Sequence, residues 1–279
     1  MSNARPIGVF DSGVGGLSVL RAIRHELPSE DVIYIADSGN APYGDRPREF
    51  IEQRSIAIVE FLCDRGVKAV VVACNTATGV AVRTLRGRFT FPIVAMEPAV
   101  KPAATTTRTG VVGVLATTRT LSSANFLKLV DEHGARAQML IQPCPGLVEQ
   151  VERGELESTK TRSLLEGYVQ PLLAKGADTL VLGCTHYAFL RTLIQDIAGP
   201  NVSLIDPATP VARELKRRLD ATGLAADARG TGTETFWASG PAEAAERVIR
   251  QLWGPGAAVQ ALPNGSTGGL STTAASLQK

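Results

Sequence analysis

Cysteine and histidine are scarce in this chain. Four cysteines, Cys63, Cys74, Cys144 and Cys184, and three histidines are spread over 279 residues, with no C-x-x-C pair. Neither a disulfide framework nor a structural zinc site is supported, and the cysteines read as free thiols. Charge of one sign is also lacking: Lys plus Arg number 29 against 27 Asp plus Glu, and aromatics make up only 5%. Without a basic stripe interleaved with aromatic rings, nucleic acid is not expected as a partner. Long hydrophobic runs are missing as well. Stretches such as 69–73 and 179–183 fall far short of the roughly 20 apolar residues that cross a bilayer, so no membrane association is expected. The apolar run at 7–10 stops at Asp11, too soon for the core of a signal peptide, and the expected location is the cytoplasm. Asp11-Ser12-Gly13-Val14-Gly15-Gly16 is glycine-rich, but it is not G-x-G-x-x-G and no Gly-Lys-Ser/Thr follows it, so nucleotide binding is not indicated.

What is present is a 44% hydrophobic chain, long enough for one large domain or two smaller ones. Short β-branched runs at 7–10, 32–36, 68–73, 93–95, 111–115, 139–141, 179–183 and 202–205 predict buried strands. Between them, 17–27, 47–65, 161–175 and 207–221 carry apolar residues at helical spacing, two of them opening on proline. That alternation predicts an α/β fold with mainly parallel sheets flanked by helices. An internal repeat refines it to two pseudo-symmetric lobes with a cleft between them. Val70-Val71-Val72-Ala73-Cys74-Asn75-Thr76 and Leu180-Val181-Leu182-Gly183-Cys184-Thr185-His186 share one form, apolar run, small residue, Cys, two polar residues, 110 positions apart. A last helix is predicted over 241–253. The tail that follows, 255–279, is poor in apolar residues and is expected to be disordered.

In open α/β sheets ligands bind beyond the carboxyl ends of the strands, so the residues after each apolar run carry the chemistry. Here these are Asp11-Ser12, the stretch from Asp37 to Gly44, Cys74-Asn75-Thr76, Thr117 to Thr120, and Cys184-Thr185-His186. A cysteine just ahead of a helix is expected to have its pKa lowered by the helix dipole, making a thiolate available as a base. One buried cysteine at a strand end is often only a space-filler, but two at repeat-related positions are not so readily dismissed. Opposed thiols suit removal of a proton from one face of a carbon and its return to the other. Asp11 and His186 are candidates to assist them, Asp11 having a helix-capping role as its bland alternative. Ser12, Asn75, Thr76, Thr117, Thr120 and Thr185 offer hydroxyls, an amide and nearby N–H groups for a small anionic or zwitterionic ligand. No lysine stands at these strand ends to form a Schiff base, and the expected chemistry needs neither cofactor nor metal. A silent ligand-binding protein and a cysteine hydrolase stay open as alternatives at this point.

Asp11-Ser12-Gly13-Val14-Gly15-Gly16, Pro42-Tyr43-Gly44, Ala73-Cys74-Asn75-Thr76-Ala77 and Gly183-Cys184-Thr185-His186-Tyr187, taken together and in this order, closely resemble glutamate racemases over about 7–253. Cys-Asn-Thr alone is shared with the wider aspartate/glutamate racemase superfamily, which includes aspartate and hydantoin racemases and single-cysteine decarboxylases. The resemblance implies a cofactor-independent enzyme that interconverts L- and D-glutamate, supplying D-glutamate for peptidoglycan in a bacterial cytoplasm, commonly as a homodimer. It implies that Cys74 deprotonates D-glutamate and Cys184 L-glutamate, with Asp11 and His186 assisting and Glu152 near that histidine. It further implies that Ser12, Pro42, Tyr43, Gly44, Asn75, Thr76, Thr117, Thr120 and Thr185 contact substrate. Lobe A would comprise 1–97 and 207–254, and lobe B 98–206. Glu97-Pro98-Ala99 is similar to members activated by a nucleotide-linked cell-wall precursor, although little chain precedes Ile7.

Overall fold

A computed structural model describes residues 4–134, 136–227 and 230–263. All eight strands predicted from the sequence are present, within a few residues: β1 (Ile7–Asp11), β2 (Val32–Ala36), β3 (Ala69–Val72), β4 (Ile93–Ala95), β5 (Val111–Ala116), β6 (Gln138–Pro143), β7 (Thr179–Leu182) and β8 (Ser203–Ile205). Two more follow, β9 (Glu234–Ala238) and β10 (Val259–Ala261). The strands form two sheets, ordered β10-β9-β2-β1-β3-β4 and β6-β5-β7-β8, and every pairing within them is parallel. The segment β2-β1-β3-β4 repeats the order of β6-β5-β7-β8. The repeat read from two heptapeptides is thus a repeat of topology, with β3 and β7 as equivalent strands.

The described helices are α1 (Leu17–Glu26), α2 (Arg48–Asp64), α3 (Asn75–Arg88), α4 (Val100–Thr106), α5 (Thr118–Leu121), α6 (Ala124–Gly134), α7 (Leu147–Glu152), α8 (Thr159–Ala174), α9 (Arg191–Ala198), α10 (Ala208–Thr222) and α11 (Ala242–Leu252). The α8 helix starts at Thr159, two residues before its apolar pattern, because the Ser158 side chain accepts from the Thr161 N–H and caps it. After β4 the chain leaves the first sheet for the second, and after β8 it returns through α10, which packs along α1. That packing joins Leu17, Leu20 and Ile23 of α1 to Leu215 and Leu219 of α10, in an apolar cluster that runs on to Tyr187 and Leu190 beside the second sheet.

The expectation of disorder from residue 255 needs correction. Residues 255–263 belong to the fold: β10 pairs in parallel with β9, and Ala257 and Leu262 are buried. The backbone ladder and two buried apolar side chains anchor this segment, which is more apolar than the tail taken as a whole. The rest of that predicted tail, 264–279, lies outside the described residues.

Candidate active site

The carboxyl ends of β1, β2 and β3 face those of β5 and β7, and both repeat-related cysteines sit there. Cys74 and Cys184 each come two residues after their strand, and both are buried, at 4% and 8% exposure. Each has its own polar neighbour. The Cys74 Sγ lies 3.6 Å from the Ser12 hydroxyl, and Cys184 Sγ lies 3.7 Å from Nδ1 of His186.

On the Cys74 side, Asp11 ends β1 and its buried carboxylate gathers donors. Oδ1 accepts from the Ser12 N–H at 2.7 Å and the Ser12 hydroxyl at 3.2 Å, while Oδ2 accepts from the Gly16 N–H at 2.6 Å and the Thr185 hydroxyl at 3.1 Å. Desolvation raises the Asp11 pKa above the usual carboxylate value even so, with the nearby His186 and the Cys74 hydrogen bond pulling the other way. Cys74 caps α3, its sulfur accepting from the Ala77 N–H at 3.4 Å. The predicted lowering of its pKa is not what the surroundings produce. Burial and the adjacent Asp11 push the Cys74 thiol well up, past what the Ala77 N–H and the Ser12 hydroxyl give back. The helix start is there, but its effect is smaller than the cost of a charge out of water.

On the Cys184 side a relay is assembled. Cys184 precedes a 3₁₀ turn (Thr185–Leu190), not an α-helix. His186, 1% exposed, places Nδ1 toward Cys184 and Nε2 2.6 Å from Oε1 of Glu152, the last residue of α7. Burial pulls the His186 pKa down, but the contacts with Cys184 and Glu152 outweigh it and the imidazole is pushed well above its ordinary value. Glycines make this approach possible. A Cβ at Gly13 would stand 1.9 Å from Oε1 of Glu152, and one at Gly15 would stand 2.3 Å from Nδ1 of His186.

The remaining sequence candidates divide into those that meet at the cleft and one that stands unpartnered. Thr76 from the first lobe and Thr117 and Thr120 from the second form a triangle of hydroxyls, with oxygens 2.9, 3.1 and 3.0 Å apart. The Pro42-Tyr43-Gly44 loop reaches over the same edge, where Gly44 packs on Thr117. Asn75 is 5% exposed, yet neither its amide nitrogen nor its amide oxygen has a hydrogen-bond partner. Leaving buried polar atoms unpaired costs about 1–3 kcal/mol each, and both atoms of this amide are free to pair with a ligand.

Sequence reasoning passed over a second buried network. Asp37, directly after β2, takes Nη2 of Arg54 at 2.6 Å and Nε at 3.1 Å, and accepts from the Tyr43 hydroxyl at 2.5 Å. Burial and Asp37 push the Tyr43 pKa well up, so its hydroxyl stays a donor. Asp37 was legible as a strand-end residue; Arg54, in the middle of α2, gave no sign of its partner. Ser38 lay within the strand-end stretch from Asp37 to Gly44, but its partner was not legible: its hydroxyl donates to Oε2 of Glu152 at 2.8 Å. Among the described residues no group of three or more His, Cys, Asp or Glu is arranged to hold a metal ion, and no helix is long and apolar enough to cross a membrane.

Comparison with known proteins adds an independent line. The model of the Asp/Glu/Hydantoin racemase family matches residues 7–215. The chain is 53% identical to the glutamate racemase of Methylococcus capsulatus, covering 96% of this chain and 98% of that one. Among solved structures it is similar to a glutamate racemase isoform from Bacillus anthracis, with TM-score 0.85, 32% identity, and 94% of this chain and 98% of that chain covered. The Escherichia coli glutamate racemase in complex with L-glutamate and the activator UDP-MurNAc-Ala superposes with TM-score 0.82 and 33% identity, covering 92% of this chain and 98% of that chain.

Proposed function

The chain belongs to the Asp/Glu/hydantoin racemase family and racemises glutamate, and we propose that it does so by two-base proton transfer between Cys74 and Cys184. The observation that carries this reading is the pair of buried thiols at equivalent strand ends of two repeated sheets, each beside a polar partner of its own. They are near enough for charge on Cys184 to be felt at Cys74.

From L-glutamate, the Cys184 thiolate takes the α-proton. The electron pair of the broken C–H bond stays on the substrate, spread into the α-carboxylate, and the Cys74 thiol protonates the opposite face. Cys74 ends as thiolate and Cys184 as thiol, so the reverse reaction runs the same steps backwards. The Cys74 thiol, held at high pKa, is seldom ionised but is a stronger base when it is, which suits a carbon acid far weaker than itself. Protonated His186 steadies a thiolate at Cys184, and Asp11 and Ser12 handle the proton and orientation at Cys74. Asn75, with both amide atoms unpaired, together with Ser12, Thr76, Thr117, Thr120, Thr185 and the loop of Pro42, Tyr43 and Gly44, holds the amino acid and its carboxylates. No cofactor enters these steps.

In this reading the enzyme works in a bacterial cytoplasm, as a homodimer, and supplies D-glutamate for peptidoglycan, with lobes parting near Glu97 and Asp206. The activator in the Escherichia coli complex, together with Glu97-Pro98-Ala99 here, makes a nucleotide-linked cell-wall precursor the regulator to test. The decisive assay follows the circular dichroism of L-glutamate with purified protein in deuterated water, with and without UDP-MurNAc-Ala. Decay of the signal to zero with deuterium at the α-carbon is expected. Loss of optical activity without α-deuterium would mean that the same proton is returned to the carbon, and would overturn delivery from a second, solvent-exchanged thiol.

A further inference from the structure

Glu152 belongs to the second lobe, but the first lobe holds its carboxylate. Oε1 is shared between His186 Nε2 at 2.6 Å and the Val14 N–H at 2.7 Å, while Oε2 accepts from the Ser38 hydroxyl at 2.8 Å. Val14 lies in the loop after β1, and Ser38 follows β2. The Cys74 side depends on the other lobe less: Ser12, Asp11 and the Gly16 N–H are all its own lobe's, and Thr185 alone among these contacts reaches in from the other.

We propose that Ser38 is a positioning residue for the Cys184 half of the reaction, turning the Glu152 carboxylate toward His186 from across the cleft. The inference rests on the two-thiol reading above. The last torsion of a glutamate is broad and roughly two-fold, so the carboxylate needs a partner on each oxygen to keep one orientation. Val14 secures Oε1 and Ser38 secures Oε2. The Cys184–His186–Glu152 relay is therefore complete only when the lobes touch, which ties the placing of His186 beside Cys184 to closure over substrate.

A well-placed Glu152 favours the imidazolium form of His186, so loosening it lowers the pKa of that histidine. The other groups near the ring do not substitute for it. Cys184 faces Nδ1 and Asp11 lies within electrostatic reach. Glu149, also on α7, bears on Tyr168 and Tyr187. Arg21 of α1 is turned over the Phe189 ring, and Arg191 at the start of α9 pairs with Asp206.

The test uses full-length Ser38→Ala and Ser38→Thr proteins, ¹⁵N-histidine NMR and racemisation of both enantiomers. With three histidines in the chain, the His186 resonances are readily assigned. Ser38 is half-buried on a short turn, where alanine is accommodated. In Ser38→Ala the His186 midpoint should fall, the high-pH limb of kcat should move down with it, and kcat should drop about 10-fold or more with KM changed much less, as for a lost hydrogen bond to a charged group. Because the enantiomers are equal in energy, kcat/KM must fall equally in both directions. Ser38→Thr should restore both readouts. An unchanged His186 midpoint and kcat, or equal losses in both variants that follow only thermal stability, would overturn the proposal. Racemisation surviving in Cys184→Ser would instead remove the two-thiol reading, while leaving the NMR shift to judge Ser38 by itself.

Discussion

Burial that hides the Cys74 thiol also makes it a poor acid, and the same desolvation acts on Asp11 beside it. Replacing either thiol by a hydroxyl removes a base that no neighbour supplies. Cys74→Ser and Cys184→Ser are each expected to cut steady racemisation by about 10²–10⁴-fold or more, the range of a positioned acid or base; near-normal turnover in either would remove that cysteine from the mechanism. Gly15→Ala belongs at the same scale. Its Cβ would fall 2.3 Å from Nδ1 of His186, so the ring must leave its position beside Cys184 and Glu152, and kcat should fall by an order of magnitude or more while far-ultraviolet circular dichroism stays native. The raised His186 pKa has a stability consequence whose sign is fixed. Unfolded, the imidazole titrates near about 6.5; folded, it holds its proton to higher pH. Its contribution is full below the unfolded value and is lost as pH rises through the folded one. The difference in Tm between this protein and Glu152→Gln should thus be greatest at about pH 6 and shrink as the pH is raised, and a pH-independent difference would contradict the geometry.

At the scale of elements, parallel pairing explains why the chemistry is where it is. All carboxyl ends of a parallel sheet lie on one edge, so Asp11, Cys74, Thr117 and Cys184 converge although they are far apart in sequence. The β9 and β10 strands extend the first sheet on its β2 side, away from β3 and Cys74. They therefore bear on stability and hardly on chemistry. Ending the chain after Gly254 would remove Ala257, Leu262 and β10, and expose the β9 edge and the apolar surface they cover. The lost burial is about 2–3 kcal/mol, a fall in Tm of roughly 5–10 °C, with kcat at 25 °C retained in the folded fraction. A truncated protein as stable as the full chain would show that β10 contributes nothing.

For the whole molecule, the contact between lobes decides access. Both cysteines are nearly inaccessible, and polar bridges cross the cleft at Thr76, Thr185, Glu152 and Arg119, whose Nη2 donates to the Arg46 carbonyl at 2.8 Å. Substrate must enter through an opened form. Cys63 is only partly buried and serves as an internal reference for thiol labelling. Cys74 and Cys184 should react more slowly than Cys63, slower still with D-glutamate present, and faster in Arg119→Ala. Equal rates at all three thiols would mean that the closed arrangement is not the resting one.

Much of this was legible in the residues themselves. Apolar runs of the right length located eight parallel strands, because a strand buried on both faces must be apolar throughout; the expectation of burial fails for β6 and β8, the outer strands of the second sheet, which are half-buried to exposed. The repeated cysteine segment disclosed two lobes, since equivalent strand ends in equivalent sheets keep equivalent residues. Strand-end position singled out Asp11, Cys74 and Cys184, and family motifs added Tyr43 and Glu152. The tertiary structure alone decided matters that depend on distance and on water. The electrostatic state of Cys74 follows from burial and an adjacent carboxylate, which overrode the helix start that the sequence displayed. The partners of Glu152 and Asp37, Ser38 and Arg54 among them, sit on other elements brought close by folding, and no local pattern encodes such a meeting. The short apolar stretch around Val259 and Leu262 found a sheet edge to pair with, and so became part of a fold that the composition of the whole tail did not announce.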